Sequence, residues 1–254
     1  MIPPVQTDPK QGERDYYTKI GAAGLAHSIR KPFSDEDCAK YLAAMTAIFA
    51  LLPPPPARVV EFGCGTGWLS LYLAERGYEV LGVDISADAV AQANIVRDSR
   101  NLANAKFLAA DYESFSGQES FDCAVFHDAL HHAEDERAAL QCCWNALKPN
   151  GIVITIEPGV GHSKTHTSLN AIKRFGVHEK DMPPKHIIAL AQQIGFRRSL
   201  VLPNPHDLNR SFYRNAYLKT TSSYELFTRW LLGVLRALRR ICTKRNTGLV
   251  LLWK

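Results

Sequence analysis

The sequence predicts an α/β protein built on a mostly parallel, doubly wound sheet, and three observations carry that prediction. From Ala57 onward, short apolar runs alternate with stretches of helical periodicity. A glycine-rich turn, Gly63-Cys-Gly-Thr-Gly67, joins the first of those strands to the first of those helices. The chain has 254 residues, 46% hydrophobic and 22% charged, enough apolar material to bury such a sheet. That composition excludes a disordered tail, a collagen and a disulfide-stapled mini-protein.

The elements follow in order. Residues 1–33 are polar, with prolines at 3, 4 and 9 and a small-residue stretch at Gly21-Ala-Ala-Gly24. Ser34, followed by Asp35, Glu36 and Asp37, has the form of a helix start, because a hydroxyl caps free amides and acids suit the positive helix end. That helix runs through Tyr41, Leu42, Met45, Ile48 and Phe49 until Pro53-Pro-Pro-Pro56 stops it. Residues 1–56 are therefore expected to form a helical lid, and 57–254 the core. Strands are expected at Arg58–Phe62, Glu79–Val83, Lys106–Ala109, Asp122–Phe126, Ile152–Ile156, Ser199–Leu202 and Gly248–Trp253. Helices are expected near Trp68–Arg76, Ala87–Arg97, Glu134–Leu147 and Pro184–Ile194, the last ended by Gly195. An insert at about 203–246 separates the sixth and seventh strands.

In such a sheet, ligands bind beyond the carboxyl ends of the strands. The first strand runs into the glycine turn, where glycines admit positive φ and let a ligand approach the backbone. Glu61 precedes the turn, and the spacing is G-x-G-x-G rather than the G-x-G-x-x-G of dinucleotide binders. A carboxylate there disfavours a pyrophosphate and suits a cationic ligand. Asp84 ends the second strand, where it can accept both hydroxyls of a ribose. Asp111-Tyr112 ends the third, where an acid and a neighbouring amide can read an adenine edge. Three acids at three strand ends converge on one crevice.

These motifs, with Val83-Asp-Ile-Ser86, Phe121-Asp-Cys-Ala-Val-Phe-His-Asp-Ala-Leu-His-His132 and Leu147-Lys-Pro-Asn-Gly151, resemble those of class I S-adenosylmethionine-dependent methyltransferases over roughly residues 57–157. The resemblance implies a seven-stranded sheet whose last strand is antiparallel, and S-adenosylmethionine as cofactor. It assigns Glu61 to the methionine ammonium side, mostly through ordered water, the turn at Gly63, Cys64, Gly65 and Gly67 to the methionine and ribose, and Asp84 with its neighbour Ile85 to the ribose. Asp111 and Tyr112 fall to the adenine, and main chain at Phe126-His127 to the amino-acid part. Tyr16 and Tyr17 resemble N-terminal tyrosines that close over the cofactor in relatives, and packing residues are the equal alternative. The activity implied is methyl transfer to oxygen or nitrogen of a small-molecule or glycan-type acceptor, in a form that includes a lipid-linked one. DNA amino-methylating enzymes carry Asp/Asn/Ser-Pro-Pro-aromatic after the fourth strand; His127-Asp-Ala-Leu stands there instead, so a nucleic-acid acceptor is disfavoured.

The candidate bases lie past strands four and five: His162 and His131 first, then Glu157, with His127, His132 and His166 nearby. His162 and His166 would share a helix face, but no third ligand accompanies them, so no metal is expected. Six cysteines in no paired spacing, no signal peptide and no long uncharged apolar run suggest a cytoplasmic protein. Charge is uneven. No acid follows Glu225, while Arg229, Arg236, Arg239, Arg240, Lys244, Arg245 and Lys254 follow it, which leaves the first 225 residues at net −2 within a total of +5. Within that tail Phe227, Trp230, Leu231, Val234, Leu238 and Ile241 form one helical stripe, the pattern of either a cap helix or a peripheral contact with anionic membrane. The competing reading is a cofactor-binding protein without catalysis, tethered by this basic helix.

Overall fold

A computed structural model describes residues 8–36, 38–213, 222–243 and 248–254. The sheet has seven strands: β1 (Arg58–Phe62), β2 (Glu79–Asp84), β3 (Ala105–Ala109), β4 (Phe121–His127), β5 (Leu147–Glu157), β6 (Arg198–Pro203) and β7 (Gly248–Trp253). Their spatial order is β3-β2-β1-β4-β5-β7-β6. Strands β1 to β5 pair in parallel, and β7 runs antiparallel to both neighbours. The order reverses between β1 and β4, so a crevice opens at their carboxyl ends.

Period-two alternation divides the core into two layers. Val60, Phe62, Ala124, Phe126 and Val153 face α6 (Glu136–Ala146) and α8 (Pro184–Ile194). Val59, Cys123, Val125, Ile154 and Ile156 face α3 (Cys38–Leu51) and α4 (Trp68–Glu75). A further helix, α5 (Ala87–Ser99), starts on Ser86, whose hydroxyl accepts the Ala89 amide. The seven strands and these helices follow the sequence expectation to within a few residues. The exception is β5, which begins five residues early at Leu147, because the Leu147–Gly151 segment joins the ladder opposite Phe121 through a shift of register.

The lid holds more helix than its composition suggests: α1 (Gln11–Lys19) and α2 (Gly21–Ile29) precede α3. The expected start of α3 at Ser34 is corrected to Cys38, because the Ser34 hydroxyl donates to the His27 carbonyl and closes the preceding turn instead of capping. Beyond β5, α7 (His166–Phe175) returns to the crevice. The insert forms α9 (Pro205–Tyr213), packed on α3, and α10 (Ser223–Thr243), packed on α9 and on the β6 edge. The side chains of Arg240 and Ile241, and all of Lys244 and Arg245, lie outside the described residues. Among those described, no helix is long and apolar enough to cross a membrane.

Candidate functional site

A cavity of about 540 Å³ opens at the carboxyl ends of β1 to β5, roofed by the lid and by the start of α9. The glycine turn forms its floor. Amides of Gly63 and Cys64 donate to the Val83 carbonyl at 2.8 and 3.1 Å, tying the turn to β2. Gly63 has φ +72°, and a Cβ there would lie 2.5 Å from Ala129 Cβ; Gly65 has φ +53°, and its Cβ would lie 2.3 Å from Tyr17 Oη. Only glycine fits such a floor. Asp84 is anchored at the end of β2, one oxygen accepting the Gly65 amide at 2.7 Å and the other the Ser86 amide at 2.9 Å. Burial pushes its carboxyl above the usual range, and those two amides oppose the rise. Each oxygen keeps a lone pair for a further donor.

Eight of the ten residues expected at the cofactor line this cavity: Gly63, Cys64, Gly65, Asp84, Ile85, Asp111, Tyr112 and His127. Glu61 and Gly67 lie behind that lining. Glu61 shares the strand face of Val59, so it points to α4, where Ser70 donates to its carboxylate. Burial there pushes its pKa up to about 8, so it is largely uncharged at neutral pH. Gly67 begins α4 with φ +79°, beneath the Phe107 ring. Asp111 is also more engaged than expected, because Lys10 of the lid bridges it at 2.6 Å and Glu113 at 2.8 Å. The Tyr112 hydroxyl donates to the Ala129 carbonyl, which sets the wall between two strand ends.

At one end, His127 stands edge-on to Trp68, with ring centroids 5.6 Å apart, and its buried Nε2 has no hydrogen-bond partner among the described residues. Burial lowers its pKa. Lys40 pairs with Asp128 at 2.8 Å, while the Lys31 ammonium donates to the Tyr41 hydroxyl at 3.3 Å. An orphaned nitrogen, two lysines and a glycine floor fit the amino-acid end of S-adenosylmethionine, and Asp84 with the Asp111 corner fits its nucleoside.

The other end is a network of imidazoles and carboxylates. Glu157 is fully buried; it accepts the amides of Ala129, Leu130 and His131 and sits 2.7 Å from His131 Nδ1. Those bonds fix the ring of His131, whose Nε2 lies 4.0 Å from Glu179. His162 Nε2 lies 2.6 Å from the same Glu179 oxygen. His132 Nδ1 is 3.4 Å from Glu13 of the lid. Burial works against charge on His132, but Glu13, backed by Glu179 and Glu157, outweighs it and raises the pKa to about 9. All three expected bases, His162, His131 and Glu157, line the cavity. His162 and His166 do not share a helix face: His162 lies in a 3-10 turn and His166 opens α7 on the exposed side. The metal-capable atoms that do converge, within 4.8 Å, belong to His131, His132 and Glu179. Hydrogen bonding and ion pairing already engage His131 and Glu179.

Glu13 and Glu179 escaped sequence reasoning because neither belongs to a strand-end motif. The only signal was the charged segment Glu179-Lys-Asp181 just before α8.

A doubly wound sheet with a reversed last strand, a glycine floor and a ribose-type acid at β2 defines the Rossmann-like cofactor crevice of the methyltransferases. Residues 59–151 match the methyltransferase domain family. Trans-aconitate 2-methyltransferase of Deinococcus radiodurans is 35% identical over 125 residues, 48% of this chain and 46% of that protein. A ubiquinone biosynthesis O-methyltransferase of Psychrobacter cryohalolentis is 25% identical over 163 residues, 59% of this chain and 63% of that one. The chain spans about half the length of the curated relatives it matches. In fold it resembles Haemonchus contortus phosphoethanolamine N-methyltransferase 2, solved with S-adenosyl-L-methionine, at TM-score 0.65, 19% identity and coverage of 97% of this chain and 59% of that one. The [4+2]-cyclase SpnF shares the fold at TM-score 0.61, 17% identity and coverage of 97% and 96%. Residues 59–151 thus carry a methyltransferase domain, set in a chain whose fold is that of the class I S-adenosylmethionine-dependent methyltransferases.

Proposed function

We propose that this chain transfers the methyl group of S-adenosylmethionine to an oxygen or nitrogen of a small-molecule or glycan-type acceptor, with His131 as the base. The observation that carries this reading is the Glu157–His131 pair at the wall of the cavity, buried and tied at 2.7 Å. The bound cofactor supplies a methyl already activated on sulfur for in-line displacement. The protein's part is to align the acceptor and take its proton.

Glu157 accepts the Nδ1 proton of His131, which leaves Nε2 unprotonated and facing the cavity. With an acceptor aligned to that methyl, Nε2 would take the proton that the acceptor atom releases. Glu157 then steadies the imidazolium. His162, paired with Glu179, positions the acceptor's polar group beside it. Asp84 and Ile85 hold the ribose, Asp111 and Tyr112 the adenine, and Lys31 and Lys40 the methionine carboxylate. Tyr17, with its hydroxyl over the turn, closes the lid on the cofactor.

Transfer of a radiolabelled methyl from S-adenosylmethionine into cell extract, separated into aqueous, lipid, protein and nucleic-acid pools, tests this reading. Label in the aqueous or lipid pool is expected. Label in the nucleic-acid pool would overturn the acceptor class, and no label from protein that binds the cofactor would favour binding without turnover.

A further inference from the structure

The exposed face of α10 has no place in the chemistry above. Tyr224, Phe227, Leu231, Leu235 and Leu238 recur at intervals of three and four residues, so they share one side of the helix. Tyr224 is 78% exposed, Phe227 58%, Leu235 52% and Leu238 51%. Single exposed leucines are ordinary, but five large apolar side chains in a continuous stripe about 21 Å long are not. The helix leans on α9 and the β6 edge through another side, where Gly233 is buried. Arg229, Arg236 and Arg239 are all exposed; by helical spacing Arg239 borders the stripe while Arg236 and Arg229 lie on the opposite, polar face, and no acidic residue follows Glu225.

We infer that α10 docks on an anionic lipid surface, with its stripe in the headgroup–acyl boundary and its arginines on the phosphates. Arginine suits that boundary because its stem lies along apolar surface while its guanidinium stays with anions. Charge decides between occupants. A second copy docked stripe to stripe would bring together two helices whose charges from residue 226 onward are all positive, with no acid there to relieve them. Anionic headgroups neutralise that same charge. The position also has a consequence for the cavity. Helix α9 packs on α10 and contributes His206 and Asp207 to the cavity wall, so docking brings that wall to the membrane surface. The docking itself does not depend on the methyl-transfer reading.

The test uses the whole chain with sedimented vesicles of phosphatidylcholine alone, or mixed with phosphatidylglycerol, at low and high salt. Binding is expected only to the mixed vesicles, weakening roughly tenfold or more as salt rises, with a blue shift of tryptophan fluorescence. Phe227→Asp with Leu235→Asp should abolish binding, and Arg236→Glu with Arg239→Glu should remove the preference for anionic lipid. S-adenosylmethionine affinity, measured on each variant, should stay at the level of the unaltered chain and so report an intact fold. Equal binding to both vesicle types, or to neither, would overturn the inference. So would a fall in the solution mass of the lipid-free chain on Phe227→Asp with Leu235→Asp, which would mean that another copy covers the stripe.

Discussion

The two ends of the cavity are built by different rules. The cofactor end is built on strand ends: a glycine turn, and an acid at the close of each of β2 and β3, held by the backbone amides of Gly65, Ser86 and Glu113, with lid residues added over them. The acceptor end is assembled from afar. Glu13 comes from the lid, His131 and His132 from the turn after β4, Glu157 from the end of β5, His162 from the following loop and Glu179 from the segment before α8. A site made from strand ends inherits the rigidity of the sheet, whereas a site made from loops and lid can change with the acceptor. The lesson is that cofactor and acceptor functions should separate on mutation.

The largest effect should come from the acceptor end. His131→Ala is expected to lower the methylation rate by about 10²–10⁴-fold, the usual worth of a positioned base. Cofactor affinity by calorimetry should hardly move. Joint collapse of rate and affinity would break the separation. Next, Asp84→Ala should weaken cofactor binding roughly 10- to 100-fold, since hydrogen bonds to a charged group contribute about 1.5–3 kcal/mol. Unchanged affinity would remove Asp84 from the cofactor site.

A smaller effect concerns the floor. Gly65→Ala should cost about 1–3 kcal/mol of stability, because alanine is strained at φ +53° and meets the Tyr17 hydroxyl. Thermal unfolding measures it, and adding Tyr17→Phe should relieve the contact while leaving the backbone strain. Full recovery in the double variant would show that the backbone there tolerates a side chain.

The smallest effect is one of pH. His132 has its pKa raised to about 9 in the folded protein, above its ordinary 6.5. A raised imidazole pKa stabilises the fold fully below the unfolded value, and that contribution fades as pH rises through the folded value. Melting temperature should therefore slope downward between about pH 6.5 and 9, and Glu13→Gln should flatten the slope. An equal slope in the variant would show that the lid carboxylate does not hold this charge.

The sheet was legible because its signals are local and repeated. Each strand is a short apolar run with a turn residue behind it, and β7 matches its expected bounds at Gly248 and Trp253. The lid helices α1 and α2 were not legible, because α1 is mostly polar, α2 is a run of small residues with no clear apolar stripe, and each buries only one residue. The same limit explains Glu61. Its place before the glycine turn is plain in the sequence, yet strand alternation turns it to α4 and away from the cavity.

By itself, the sequence determined the fold class, the glycine floor and the acids at the strand ends, since each depends on neighbours within a few positions. Tertiary structure alone decided which histidine meets which carboxylate: Glu157 with His131, Glu179 with His162, Glu13 with His132. Those pairs join residues 17 to about 120 positions apart. Their charge states depend on burial and on one another through a low-dielectric interior, and no local pattern in a chain encodes that.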